Sequence, residues 1–119
     1  MTVQPTTSTT YSRAVELAAE LEAAGIRATQ DVRNANPPCV LVMPPTRQRV
    51  GMCGWDTTWT LLCLAPGPDN ADAWLALDEL VDAVAAVLPI TAARPSGFSR
   101  TGAEPAIPAY ECEMTEVLS

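Results

Sequence analysis

The sequence contains no histidine and no lysine, and all seven of its basic residues are arginines, set against fourteen acidic residues. These two absences remove most familiar catalytic machinery. A Ser-His-Asp triad, a Cys-His pair, a histidine-ligated metal, a Schiff-base lysine and a P-loop lysine each need a residue type that the chain does not own. Proton transfer is left to carboxylates, thiols and two tyrosines. The residue inventory therefore predicts a protein that is not an enzyme and uses no cofactor and no metal.

Other shortages are as informative. No apolar run approaches the roughly 20 residues of a membrane helix. The segment from Met1 to Thr10 has neither a basic start nor an apolar middle, so it does not read as a secretory signal, and synthesis in the cytoplasm is expected. A net charge of −7 argues against gripping nucleic acid, because phosphate binding draws its affinity from clustered cations that displace counterions. The four cysteines, at 39, 53, 63 and 112, have 13, 9 and 48 residues between them, which matches no CxxC zinc or redox spacing. They are expected to be reduced, three of them packing as small hydrophobes in strands.

What is present suffices for one domain. A chain of 119 residues with 48% hydrophobic content can remove roughly two thirds of its unfolded surface from water without cross-links. Residues 1 to 11, polar and rich in threonine, read as a flexible N-terminal arm, and residues 12 to 119 as a single α+β domain. From Ser12, Ala14, Leu17, Ala18, Leu21 and Ala24 recur at helical spacing, and Gly25 is placed to end that helix. Short strands are expected at Ile26 to Val32 and at Cys39 to Met43, the second fully buried and closed by Pro44 and Pro45. The strand from Trp55 to Leu64 should carry Trp55, Thr57, Trp59, Leu61 and Cys63 on one face, with its second half apolar on both faces. After Pro66-Gly67-Pro68, with Asp69 or Asn70 as cap, Trp74, Leu77, Val81, Val84 and Leu88 predict a second amphipathic helix ended by Pro89. Strands at Ile90 to Ala93 and Ala109 to Leu118 follow, separated by a loop from Pro95 to Pro108. The order α-β-β-β-α-β-β, with no helix between the second and third strands, predicts two helices packed on one face of a mainly antiparallel four- to five-stranded sheet.

Few features rise above a folded surface. The carboxylates of the second helix suit a solvated face, and Asp69, Asn70 and Asp72 suit a helix cap better than a cation site. Core packing accounts for Trp59 and Trp74. Trp55 is divided between core and partner anchor, since tryptophan is enriched at interface hot spots. The most suggestive segment is PPTRQRVGMCG, residues 44 to 54, a long excursion between strands with Arg47 and Arg49 on one side in an otherwise acidic molecule. It is either a solvated hairpin or a loop that docks an acidic surface on a copy of the chain or a neighbour. The candidate interface residues are Arg47, Arg49, Val50, Met52, Trp55 and Arg100.

Asn36-Pro37-Pro38-Cys39-Val40-Leu41-Val42, with Ala65-Pro66-Gly67-Pro68-Asp69-Asn70-Ala71-Asp72-Ala73-Trp74 and the helix through Leu88-Pro89-Ile90, resembles the tail terminator proteins of long-tailed, siphovirus-type phages of actinobacteria. The resemblance spans about residues 12 to 117. It implies a virion structural protein, assembled in the host cytoplasm, that forms a homo-hexameric ring at the neck end of the tail. Such a ring caps the tail tube, stops addition of the major tail tube protein and presents a joining surface to the head-tail connector. DNA would pass through its lumen without specific binding, and a hexamer of this chain, at roughly −42 charges, would repel the phosphates in transit. The family has no catalytic residues to carry over, and the interface positions are read from this sequence alone. Two competing readings are another head-tail neck or joining protein and, from a different class, a small cytoplasmic ligand-binding or regulatory α+β domain with a closed apolar pocket.

Overall fold

The computed structural model describes residues 9–49, 51–52, 54–66, 71–99 and 107–118. Two helices, α1 (Thr9–Ala23) and α2 (Ala71–Val87), accompany β1 (Ala28–Thr29), β2 (Cys39–Val42), β3 (Thr46–Arg49), β4 (Trp55–Leu64), β5 (Ala92–Phe98) and β6 (Ile107–Leu118). The strands form one sheet in the order β1-β2-β4-β6-β5, with β3 also beside β4. β2 pairs with residues 61–64 of β4 and β3 with residues 55–58, so the two share one edge of β4 end to end. Among the described residues only the β1 to β2 pairing is parallel. This is the α+β fold expected from the sequence, with six strands among the described residues where four to five were expected.

The additional strand is β3, inside the segment read as a loop. Pro44 and Pro45 interrupt the strand without ending its course, because the Met43 N–H still donates to the Thr60 carbonyl at 3.0 Å and keeps the chain against β4. Element boundaries also move: β6 begins at Ile107, inside the segment expected as a loop to Pro108, and β2 ends at Val42. α1 begins at Thr9, before Ser12, which places Tyr11 on the helix. The strand expected from Ile26 to Val32 contracts to two residues because the Asp31 carboxylate accepts the Arg33 N–H at 3.0 Å and starts a short 3-10 turn over Val32–Asn34. β5 runs on through Pro95 to Phe98, and among the described residues its only neighbour is β6. An edge strand is the position in a sheet that tolerates proline.

Both helices cover the same face of the sheet. Leu17 and Leu21 of α1, and Ala73, Leu77 and Val84 of α2, pack on Val40, Val42, Trp59, Leu61, Cys63, Cys112 and Met114. Gly25, with φ of 86°, takes the left-handed conformation that lets the chain leave α1. On the opposite face Leu41, Leu62, Leu64 and Ala109 gather with Ala35 and Cys39. Burial from both sides is what makes the second half of β4 apolar throughout.

Trp74 corrects the sequence reading. It is 63% exposed, because the buried stripe of α2 follows Ala73, Leu77, Val84 and Leu88 and leaves Trp74 on its flank. Cys39, Cys63 and Cys112 are buried in strands, as expected, and Cys53 lies outside the described residues. The Cys63 and Cys112 sulfurs are 3.7 Å apart; that contact and burial push the Cys63 thiol well above its ordinary range and keep it neutral.

One polar cluster joins helix to sheet. Arg13 of α1 grips Glu116 of β6 with two hydrogen bonds, Nε to Oε2 at 2.9 Å and Nη2 to Oε1 at 3.2 Å. The Trp59 indole N–H donates to the same Oε2 at 2.8 Å. Glu116 thus fixes both a surface helix and the largest core side chain. The hydrogen bonds to Glu116 raise the Arg13 pKa above its already high value, so this cation is permanent. The pair is about a quarter exposed, and solvent screening reduces its worth. Arg13→Ala is therefore expected to cost roughly 1–2 kcal/mol in urea unfolding.

Candidate docking surface

The docking surface lies where the sheet outruns its helices. Beyond Trp59 and Met114, strands β3, β4 and β6 continue side by side as an arm, and the molecule's long axis measures 52 Å against 29 and 27 Å across. Two cross-strand rows build it. Arg47, Thr57 and Glu116 stand opposite one another in register, followed by Arg49, Trp55 and Leu118. Alternation along the strands places all six on one face.

The arginines do what their spacing predicts and something it does not. Both lie on the side of Trp55, with the guanidinium carbon of Arg47 at 4.3 Å and that of Arg49 at 4.8 Å from the indole centroid. Stacked there, they hold the ring half-buried and the ring holds them upright. Arg49 also donates from Nη2 to the Met52 carbonyl at 3.3 Å, which ties the strand to its turn. Gly51, with φ of 57°, supplies the positive dihedral the turn requires. Met52 is 88% exposed at the tip. Neither Arg47 nor Arg49 has a carboxylate partner among the described residues, whereas Arg13, Arg33 and Arg94 all do. The result is an ordered patch with an aromatic and thioether centre and a cationic border that no described carboxylate neutralises.

Of the six interface residues expected from sequence, Arg47, Arg49, Met52 and Trp55 come together here. Val50 and Arg100 lie outside the described residues. Residues 69 and 70, read as caps, do too. Trp55→Ala should cost roughly 1–2 kcal/mol, because two exposed cation-π contacts and the packing of a half-buried ring are lost. A chemical unfolding midpoint lowered modestly, and far less than by Trp59→Ala, checks it.

Sequence reasoning missed an exposed apolar spot on α2. Leu75 is 61% exposed and Trp74 adjoins it. The signal was present: Leu75 sits on the outer side of the helix with Asp72, Glu79 and Asp82, at spacings of three and four that oppose the buried stripe.

The molecule has open grooves. One, of about 470 Å³, runs between Trp74, Leu77, Pro95, Pro108 and Tyr110, and another, of about 480 Å³, between Tyr11, Val32, Leu41 and Met43. Among the described residues, no three cysteine, aspartate or glutamate side chains converge to hold a metal ion, and no helix is long and apolar enough to cross a membrane. Comparison with known family models, curated proteins and solved structures finds no match for this chain.

Proposed function

We propose that the protein is a structural component of a phage tail, a tail terminator whose copies close into a hexameric ring on the end of the tail tube. In this reading it halts polymerisation of the tube protein and offers the joining surface for the head-tail connector. The observation that carries the proposal is the arm itself: an ordered, exposed patch of Arg47, Arg49, Trp55 and Met52 on a protein of net charge −7. Such a patch is built for protein contact. Aromatic and arginine side chains are enriched at interface hot spots, and cation-π stacking orders them before the partner arrives. An arm at one end of an elongated subunit also suits contacts that pass head to tail around a ring. The absence of histidine and lysine supports a role carried by surfaces and not by turnover.

The mass of the purified protein, alone and with isolated tail tubes, tests the proposal. A ring on the tube ends supports it. Binding to DNA-filled heads and not to tubes would transfer the protein to another neck position.

A further inference from the structure

The arm needs an anionic counterpart, and the chain carries one. On α2, Asp72, Asp78, Glu79 and Asp82 are all exposed, and none has a cationic partner among the described residues. They surround Leu75: helical geometry puts Asp72 three residues before it, Asp78 three after and Glu79 four after, all neighbours on the surface. Trp74 widens the apolar spot. The arm offers an apolar centre with a cationic border; this half of α2 offers an apolar centre with an anionic border.

The two patches cannot meet within one molecule. Trp74 and Leu77 lie beside Pro108 to Tyr110, at the start of β6, whereas Trp55 pairs with Leu118 at its end. Nine residues of strand separate the two levels, roughly 30 Å. Complementary surfaces at opposite ends of one subunit define a heterologous contact, which repeats from copy to copy.

We propose that the arm of one copy, through Arg47, Arg49 and Trp55, docks on the acidic outer face of α2 around Leu75 in the next copy. The inference rests on the reading above in one respect, that copies of the chain associate; it adds which surface receives the arm. Charge-assisted pairs of arginine with Asp78 and Glu79 fix the register, and Met52, Trp55, Leu75 and Trp74 exclude water between them.

Complementation tests it. One variant, R47E/R49E, lacks the donor and keeps the acceptor; a second, D78R/E79R, keeps the donor and lacks the acceptor. All four positions are exposed, so both variants should fold, and circular dichroism and the unfolding midpoint verify this. In sedimentation velocity at low salt the unaltered protein should self-associate, and each variant alone should do so at least about 10-fold more weakly. An equimolar mixture should associate again, with the two variants alternating, because the basic arm of one meets the acidic α2 of the other and the reversed arm meets the reversed α2. Combining all four changes in one chain should restore self-association. A wild-type protein that stays monomeric, or a mixture that stays monomeric while wild type associates, would overturn the pairing. So would undiminished association of D78R/E79R, which would place the acceptor elsewhere. Tail length in assembled virions is a separate measurement, so failure of the pairing and failure of the tail reading are told apart.

Discussion

Trp59→Ala is expected to destabilise the domain by about 3–5 kcal/mol, the largest stability effect of any single substitution considered. Trp59 is fully buried and the largest side chain of the core. Its removal opens a cavity in the core that the helices and sheet share, beside Met114 of the neighbouring strand. It also takes the indole N–H from Glu116, leaving a half-buried carboxylate that Arg13 alone must hold. At a typical stability of about 5–15 kcal/mol, such a loss leaves the protein close to unfolding. A urea or guanidinium titration with unchanged slope and a sharply lowered midpoint would show it. Trp59→Phe, which refills most of the volume and loses only the hydrogen bond, should recover more than half of the loss. Equal costs for the two variants would mean that the hydrogen bond, and not the packing, is the dominant contribution.

The second large effect is expected on assembly. R47E/R49E should lower the unfolding midpoint only modestly, since it removes two exposed cation-π contacts and the Arg49 to Met52 hydrogen bond from an exposed strand and leaves the core intact. Under the proposed tail function, the same variant should abolish the narrow distribution of tail lengths in virion assembly and yield overlong tubes without heads. The physical reason is the sign of the charge: four charge units are reversed at a surface that must approach an acidic partner, and like charges facing across an interface cost several kcal/mol. Electron micrographs of tails from cells supplying only the variant give the distribution directly. Tails of normal length joined to heads would contradict the role given to the arm.

How much of this was legible in the sequence depends on what each residue type discriminates. α1 was clear from Ala14, Leu17, Ala18 and Leu21, because one unbroken stripe admits one docking face; only Ala24 of that series is exposed. The burial gradient of β4 could be read from Leu61 to Leu64, where polar residues disappear from both faces. Trp74 could not be placed, since a helix stripe is wide enough to take in either Ala73 or Trp74 at its edge. What settles the choice is the fit against β6, a tertiary contact that periodicity does not contain. The strand β3 was hidden for a related reason. Thr46 to Arg49 is polar and exposed, with no apolar alternation, and its strand conformation comes from pairing with β4 rather than from its own residues.

For the candidate surface, the sequence supplied the chemistry and the fold supplied the arrangement. The two arginines were placed on one side of the segment by their spacing, and their contact with Trp55 required the register that sets Arg49 opposite it. The acidic face of α2 was read as solvated because four carboxylates on a helix are ordinary. It acquires meaning from the exposure of Leu75 among them and from its distance from the arm, and both depend on how α2 lies on the sheet.

The central claim is that this chain acts by occupying the end of a growing tube. It is tested most directly by adding the purified protein to tube subunits during polymerisation and following tube length by electron microscopy. The account predicts that growth stops soon after addition, with a ring of the protein at the tube ends. Tubes that lengthen at an unchanged rate in the presence of excess protein would contradict it.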